Sequence, residues 1–169
     1  MVLGLKLLAS AGVAALLAWP VLQGDGGVLD EVRALGLFGG LALTGAFLLG
    51  VFFYARALVH ALELVPVEHR AASPRSVWWM FVLPYNFVED FFIVHHVEQS
   101  LRATLPREQL FRFGPAAGYG WCGAQILSLA PHPLAVIPSA LALVLWVVHW
   151  VHIARAVSVL RARASHGSR

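Results

Sequence analysis

Four polar side chains stand close together in an otherwise apolar stretch of the sequence: Tyr85, Asn86, Glu89 and Asp90. In a helix, Asn86 and Asp90 would lie one turn apart on one face, with Tyr85 and Glu89 on the next face. Acids at membrane depth are energetically expensive, so they tend to line a cavity or to pair with a cation. These residues therefore predict a polar membrane site for a proton, a cation or another subunit. The alternative is an interfacial helix whose acids face water or pair with a nearby arginine.

Histidines form a second set of candidates. His149 and His152 stand three residues apart and so share a helix face. With His60 from another helix they could hold a transition metal or a haem, because imidazole is a suitable ligand for both. No cysteine or carboxylate lies near His149 in the sequence, and its tryptophan neighbours are typical of an interfacial aromatic belt. We predict no cofactor and retain His60, His149 and His152 as the residues that would bind one.

Other reactive residues give weaker signals. His95 and His96 are adjacent, so they would project about 100° apart on a helix and rarely bind one metal. Cys122 is the one cysteine, and its apolar, glycine-rich neighbours predict a buried, unreactive thiol. The sequence has no glycine-rich phosphate loop, serine nucleophile elbow or zinc-protease motif, and nothing in it favours nucleic-acid binding. A non-enzymatic protein is the better prediction.

The composition points to the membrane. Of 169 residues, 59% are hydrophobic and 12% are charged, against about 25% charged residues in a soluble domain. A water-soluble fold of this size could not bury so much apolar surface. The basic residues flank the apolar runs, as they do at the ends of membrane helices.

Stretches free of charge indicate the elements that must position these side chains. A membrane-spanning helix needs about 20 largely apolar residues. Four stretches approach that length: 7–24, 34–55, 114–130 and 134–154. The second continues as a helix to about Val65, and Lys6 can extend to the surface before the first. Because proline breaks helices, Pro131 and Pro133 predict a helical hairpin with its turn at 131–133.

The stretch 76–97 is also apolar, but Glu89 and Asp90 interrupt it and Pro84 breaks it. An acid at the bilayer centre costs about 2.5–3.5 kcal/mol on insertion scales, which disfavours one straight span. If the stretch does not cross, nearly all basic residues fall on the cytoplasmic side, as the positive-inside rule requires. We therefore predict an all-α integral membrane bundle of four spanning helices plus one re-entrant or interfacial broken segment. Five spans is the alternative.

Two further expectations concern organisation. Residues 1–160 should form one transmembrane domain, followed by a polar, basic cytoplasmic tail over 161–169, with both termini cytoplasmic. Gly36, Gly40 and Thr44 recur at helical spacing, and small residues let helices approach closely in lipid. This face is a candidate contact with another membrane chain or with a second copy, and the alternative is ordinary packing within the same chain.

The chain also resembles a known family. The matching residues are Pro74-Arg75-Ser76-Val77-Trp78, Leu83-Pro84-Tyr85-Asn86 and Trp150-Val151-His152-Ile153-Ala154. Over 55–160 they resemble a family of small bacterial multi-spanning membrane proteins for which no activity is assigned. The family usually has lysine at the position of His152 and tends to lack Glu89-Asp90 and His95-His96. The resemblance implies a helical fold in the bacterial inner membrane and no particular activity.

Three functions follow as hypotheses. The first is a non-enzymatic accessory or scaffold subunit packed in a larger membrane complex. The second is a small transporter or channel that uses Asn86, Glu89 and Asp90. The third is a redox subunit that binds haem or a metal through the three histidines named above. A water-filled cavity that reaches these residues would distinguish the second from the first.

Overall fold

Helices make up nearly all of the chain that the structure, a computed structural model, describes: residues 2–22, 35–130 and 134–167. The α-helices are α1 (Val2–Leu22), α2 (Gly36–Leu64), α3 (Asn86–Thr104), α4 (Gly114–Leu127) and α5 (Val136–Gly167). Short 3-10 helices lie at Val67–His69, Pro74–Phe81 and Arg107–Gln109. Because no strand occurs in these ranges, the all-α prediction is confirmed for them.

Two of these helices are long and apolar enough to cross a membrane: Gly36–Leu64, and Val136–Ser165 within α5. The apolar part of α1, Leu3–Trp19, is shorter. The 14 residues of α4 reach about 21 Å at the usual helical rise, whereas the hydrocarbon core measures about 30 Å. Four spans are therefore not confirmed in the described ranges.

Helices α4 and α5 form an antiparallel pair. Gly114 near the start of α4 lies against His152, and Gly120 lies against Leu145, so the contact moves backward along α5 as α4 advances. Pro115 occupies the first turn of α4, where its missing N–H costs nothing. The predicted helical hairpin is thus confirmed as two separate helices, while its predicted turn at 131–133 lies outside the described residues.

The chain from Ala71 to Ser100 enters the bundle and returns to the same end of it. The 3-10 helix Pro74–Phe81 leads in, and the helix breaks around Pro84, which lacks a backbone N–H and fixes its own φ. The chain then returns as α3, and Ser100 Oγ accepts a hydrogen bond from the backbone N–H of Ala71 at 2.9 Å. The prediction that 76–97 is not one straight helix is confirmed.

The end of α5 differs from the predicted tail. Residues from 161 to 167 continue the helix instead of forming a separate segment. The Arg161 guanidinium donates to His60 Nε2 at 2.7 Å, and Arg163 donates to the carbonyl of Thr104 at 3.1 Å. These contacts tie the basic end of α5 to the ends of α2 and α3.

Buried side chains concentrate at one end of the bundle. The later part of α2 contributes Tyr54, Leu58 and Leu62, which pack with Val94 of α3 and Ile153 of α5. The first part of α2 and the first part of α5 instead expose large apolar side chains. A continuous exposed apolar surface marks a membrane or protein contact.

The small-residue face of α2 is partly uncovered. Gly36 and Thr44 are exposed, whereas Gly40 is buried. Gly36 has a φ of +69°, a left-handed value that suits glycine. Contact between this face and another chain stays a prediction.

Candidate functional site

A cavity of about 440 Å³ lies between α2, the 3-10 helix Pro74–Phe81, α3, α4 and α5. Its wall is mainly apolar and includes Phe47, Met80, Trp121 and Leu143. We call it the Asp90 cavity, because the buried carboxyl of Asp90 is the acidic group in its wall. Pockets that bind small molecules have this size and this mainly apolar lining with a few polar groups.

Four polar residues of this wall have buried atoms without a hydrogen-bond partner among the described residues. They are Asn86 Oδ1, Asp90 Oδ1, Gln125 Oε1 and Trp146 Nε1. Asp90 is 2% exposed. Leaving a buried polar group unpaired costs about 1–3 kcal/mol, more for a charged one, so native proteins rarely tolerate several together. All four of these residues line the same cavity.

Three helices bring these groups together. Asn86 and Asp90 lie one turn apart in the first turns of α3, immediately after the break at Pro84. Gln125 comes from the end of α4 and Trp146 from the middle of α5. Asn86 and Asp90 lie on one face of α3, as their spacing predicts, because both line the Asp90 cavity.

Glu89 and Tyr85 lie outside the Asp90 cavity. Lys6 of α1 donates to Glu89 Oε2 at 2.6 Å, and its ammonium lies 4.0 Å from the centre of the Phe92 ring. Tyr85 packs edge-on against Trp79. The predicted four-residue site therefore divides into two: a pair that lines the cavity, and a pair near α1. Lys6 does not extend to the surface as expected, because it is committed to a buried carboxylate.

A second buried polar group joins α2, α3 and α5. The Tyr54 hydroxyl lies 2.7 Å from His149 Nδ1, and His149 Nε2 lies 3.2 Å from Glu98 Oε1. Because an ionised carboxylate can only accept, His149 donates from Nε2 to Glu98, and a neutral imidazole then accepts from the Tyr54 hydroxyl at Nδ1. All three side chains are essentially inaccessible to solvent. With His152, they form what we call the His–Glu network.

His152 completes this network from the next turn of α5. Its Nε2 lies 2.9 Å from the same Glu98 oxygen. Helix α4 makes room for both imidazoles with glycine: a Cβ at Gly118 would lie 2.8 Å from the His149 ring, and one at Gly114 would overlap the His152 ring. The glycines of α4 thus allow the two turns of α5 that carry His149 and His152 to pack closely against α4.

The histidines named from the sequence are only partly brought together. His149 and His152 meet Glu98, whereas His60 contacts Arg161 and lies apart from them. In the described ranges, no group of three or more His, Cys, Asp and Glu side chains has the arrangement of a metal site. Binding of no cofactor stays a prediction.

Of the tryptophans beside His149, Trp146 is buried and Trp150 is half-buried, and their place in an interfacial aromatic belt stays a prediction. Trp146 is 8% exposed and packs with Tyr54, Trp150 and the wall of the Asp90 cavity. The ring of Tyr54 also contacts Trp121, which lines the Asp90 cavity. Tyr54 of the His–Glu network is therefore in direct contact with the cavity wall. Cys122, as predicted, is buried.

Sequence reasoning missed Glu98 and Tyr54 as site residues. The missing carboxylate partner of His149 comes from α3, 51 positions away in the sequence. One signal was present: Glu98 follows Val94 by four residues and precedes Leu101 by three, so it stands on the apolar, buried face of α3. An acid on such a face requires a partner.

Comparison with known proteins adds no relative: no family model, curated protein or solved structure matches the chain.

Proposed function

We propose that the chain is a multi-pass protein of the bacterial inner membrane with both termini on the cytoplasmic side. Helices α2 and α5 meet the length and hydropathy of spanning helices, and α1 is a shorter apolar helix packed on α3. The hydrogen bond between Ala71 and Ser100 supports a re-entrant 76–97, because a spanning segment would separate its ends by about the hydrocarbon thickness of 30 Å. The family resemblance agrees with this location.

The function that the geometry supports best is binding of a small molecule in the Asp90 cavity, as part of a small transporter. The single observation behind it is the convergence of four unpaired, buried polar atoms on one apolar cavity. Buried polar groups inside membrane proteins typically mark substrate or ion pathways. Of the three hypotheses, the transporter is the one that requires such a cavity. Asn86 and Asp90 stay in the proposed site, whereas Glu89 forms an ion pair with Lys6 outside it.

The position of the cavity fits a ligand that dissolves in the bilayer. Phe47 and Leu48 of α2 and Leu143 of α5 line it, and each is about half exposed on the apolar surface of a candidate span. The cavity thus borders the surface that lipid would cover. A mainly apolar molecule with one polar group can enter from that side without crossing water.

A ligand screen on detergent-solubilised protein tests this proposal. Small aromatic amines, alcohols and carboxylic acids should include at least one class that raises the melting temperature, since a ligand that binds only the folded state stabilises it. Ala142 lines the cavity, whereas Ala140 lies on the exposed side of the same helix. The Ala142→Phe variant should lose the stabilisation and the Ala140→Phe control should keep it. No stabilisation by any class, or an equal response of both variants, would refute the proposal.

The scaffold hypothesis stays a separate prediction. Its support is the partly uncovered face at Gly36 and Thr44, and purification of a monomer alone from mild detergent would count against it. The redox hypothesis has less support, because the two nitrogens of His149 already contact Tyr54 and Glu98.

A further inference from the structure

We propose that the ligand of the Asp90 cavity is a lipophilic organic cation whose protonated amine pairs with Asp90. This inference rests on the proposed function, because it names the class of molecule that the cavity binds. Three features of the cavity support it: the polar atoms of the wall, its aromatic rings, and the charged groups near Asp90.

The polar wall favours a donor-rich, positively charged group. Asp90 Oδ1 is an unpartnered carboxyl oxygen, and carboxylates form their strongest hydrogen bonds with ammonium or guanidinium donors. The unpaired amide oxygens of Asn86 and Gln125 belong to the same wall. An ammonium group has three N–H donors and no acceptor, so it can satisfy several such oxygens at once.

The apolar wall favours the same class. Aromatic rings of Phe47, Phe81, Trp121 and Trp146 line the cavity. Such rings attract cations through their faces as well as covering an apolar body. An anion would instead meet the carboxyl group of Asp90, and it would find an unpaired indole donor in the Trp146 N–H.

Among the residues that the structure describes, no cation neutralises Asp90. On its own helix the nearest acid is Glu89, which is committed to Lys6. The titratable groups that interact with it from packed helices are Tyr54 of α2 and Cys122 of α4, and neither can become positive. The neighbouring 3-10 helix and α5 contribute Met80 and Trp146 to the same wall. Among the described residues, a positive partner for Asp90 must therefore come from the ligand.

Protonation follows from the same surroundings. A buried carboxyl without a cation retains its proton, because ionisation in an apolar site is costly. When the ammonium binds, Asp90 releases that proton to the solvent and the carboxylate pairs with the ligand. Binding should therefore exchange one proton for one cation and leave the net charge of the site unchanged.

Isothermal titration calorimetry with three probes of one shape tests the inference: 4-butylbenzylammonium, 4-butylbenzyl alcohol and 4-butylbenzoate. The wild-type protein should bind the ammonium at least about tenfold more tightly than the alcohol, as expected for a charged hydrogen bond. The benzoate should bind most weakly. Titrations in buffers of different ionisation enthalpy should show about one proton released per ammonium bound, which tests the inference without any variant.

Two variants assign the effect to one carboxyl. Asp90→Asn should abolish the preference for the ammonium over the alcohol and the proton release. Glu108→Gln removes an exposed acid, which lies outside the cavity, and should keep both. Equal binding of ammonium and alcohol to the wild type, or tighter binding of the benzoate, would overturn the inference that the ligand is a cation. The cavity would remain a binding site. Binding of none of the three probes, or equal binding of them to Ala142→Phe, would overturn the proposed function as well.

Discussion

At the residue scale, burial decides what each polar side chain does. Glu98 and His149 are both removed from solvent and meet at 3.2 Å. Because a buried charge requires a partner, each of these two residues depends on the other. Asp90 is equally buried, but its Oδ1 has no hydrogen-bond partner in the described part of the chain. The two acids stand two turns apart on α3 and have different roles: one organises the bundle, and the other faces the cavity.

Removing the carboxylate of the His–Glu network should be costly. We expect Glu98→Ala to lower the free energy of unfolding by about 3–5 kcal/mol, because buried His149 loses its hydrogen-bond acceptor and buried His152 loses the carboxylate that lies 2.9 Å away. Glu108→Ala, in an exposed turn, is the control and should change stability by less than about 0.5 kcal/mol. Unfolding by SDS titration from mild detergent measures both. An effect of Glu98→Ala no larger than that of the control would show that the network contributes nothing to stability.

The glycines of α4 provide a steric test of the same contact. A Cβ at position 118 would lie 2.8 Å from the His149 ring and 2.8 Å from Val94, whereas a Cβ at 123 meets nothing within 4 Å. Gly118→Ala should therefore destabilise the protein by about 1–3 kcal/mol through overpacking. Gly123→Ala should be neutral or stabilising by up to about 1 kcal/mol, since alanine favours helix. Thermal unfolding of the pair provides the comparison, and equal behaviour would contradict the packing of α4 on α5.

At the element scale, sequence periodicity predicts which residues share a helix face but does not predict which helices pack together. The spacing of Asn86 and Asp90 predicts their shared face because a helix repeats every 3.6 residues, and Pro84 predicts the break because its ring excludes the helical hydrogen bond. The contact of Glu98 with His149 depends on which helices pack together. That depends on side-chain shape across the whole bundle, such as the glycines of α4, and no local pattern contains it. For the same reason the sequence predicted Lys6 at the surface, where the structure pairs it with Glu89.

This ion pair is the main polar link between α1 and the rest of the bundle in the described ranges. Both side chains are largely buried, and their charged atoms lie 2.6 Å apart. A double-mutant cycle with Lys6→Met and Glu89→Gln should give a coupling energy of about 0.5–3 kcal/mol, because each single change leaves the other group buried without its partner. Strict additivity of the two changes in SDS unfolding would refute the contact.

At the scale of the whole molecule, the surface that each loop faces depends on whether the segment 76–97 returns to the side of the membrane from which it enters. Arg75 and Arg102 are both exposed, and they flank the segment whose ends meet at Ala71 and Ser100. A re-entrant segment places both arginines on the cytoplasmic side, in agreement with the positive-inside rule. A fifth span would place them on opposite sides.

Single-cysteine labelling distinguishes these arrangements. We expect Arg75→Cys and Arg102→Cys to react with a membrane-impermeant maleimide in inverted inner-membrane vesicles and to resist it in right-side-out vesicles. The native Cys122 is buried, so unmodified protein should remain unlabelled in both and serves as the internal control. Labelling of the two positions from opposite faces would establish five spans and would contradict the re-entrant segment.

The central claim is that a cation occupies the Asp90 cavity, and the most direct test is to locate one there. Crystals of the full chain grown with 4-bromobenzylammonium should show a bromine anomalous peak inside the cavity, among Phe47, Trp121 and Trp146, with the ammonium nitrogen within about 2.7–3.2 Å of Asp90. The same crystals of Ala142→Phe should lack that peak. A bromine peak only on the outer apolar surface, or none in a well-ordered cavity, would contradict the account.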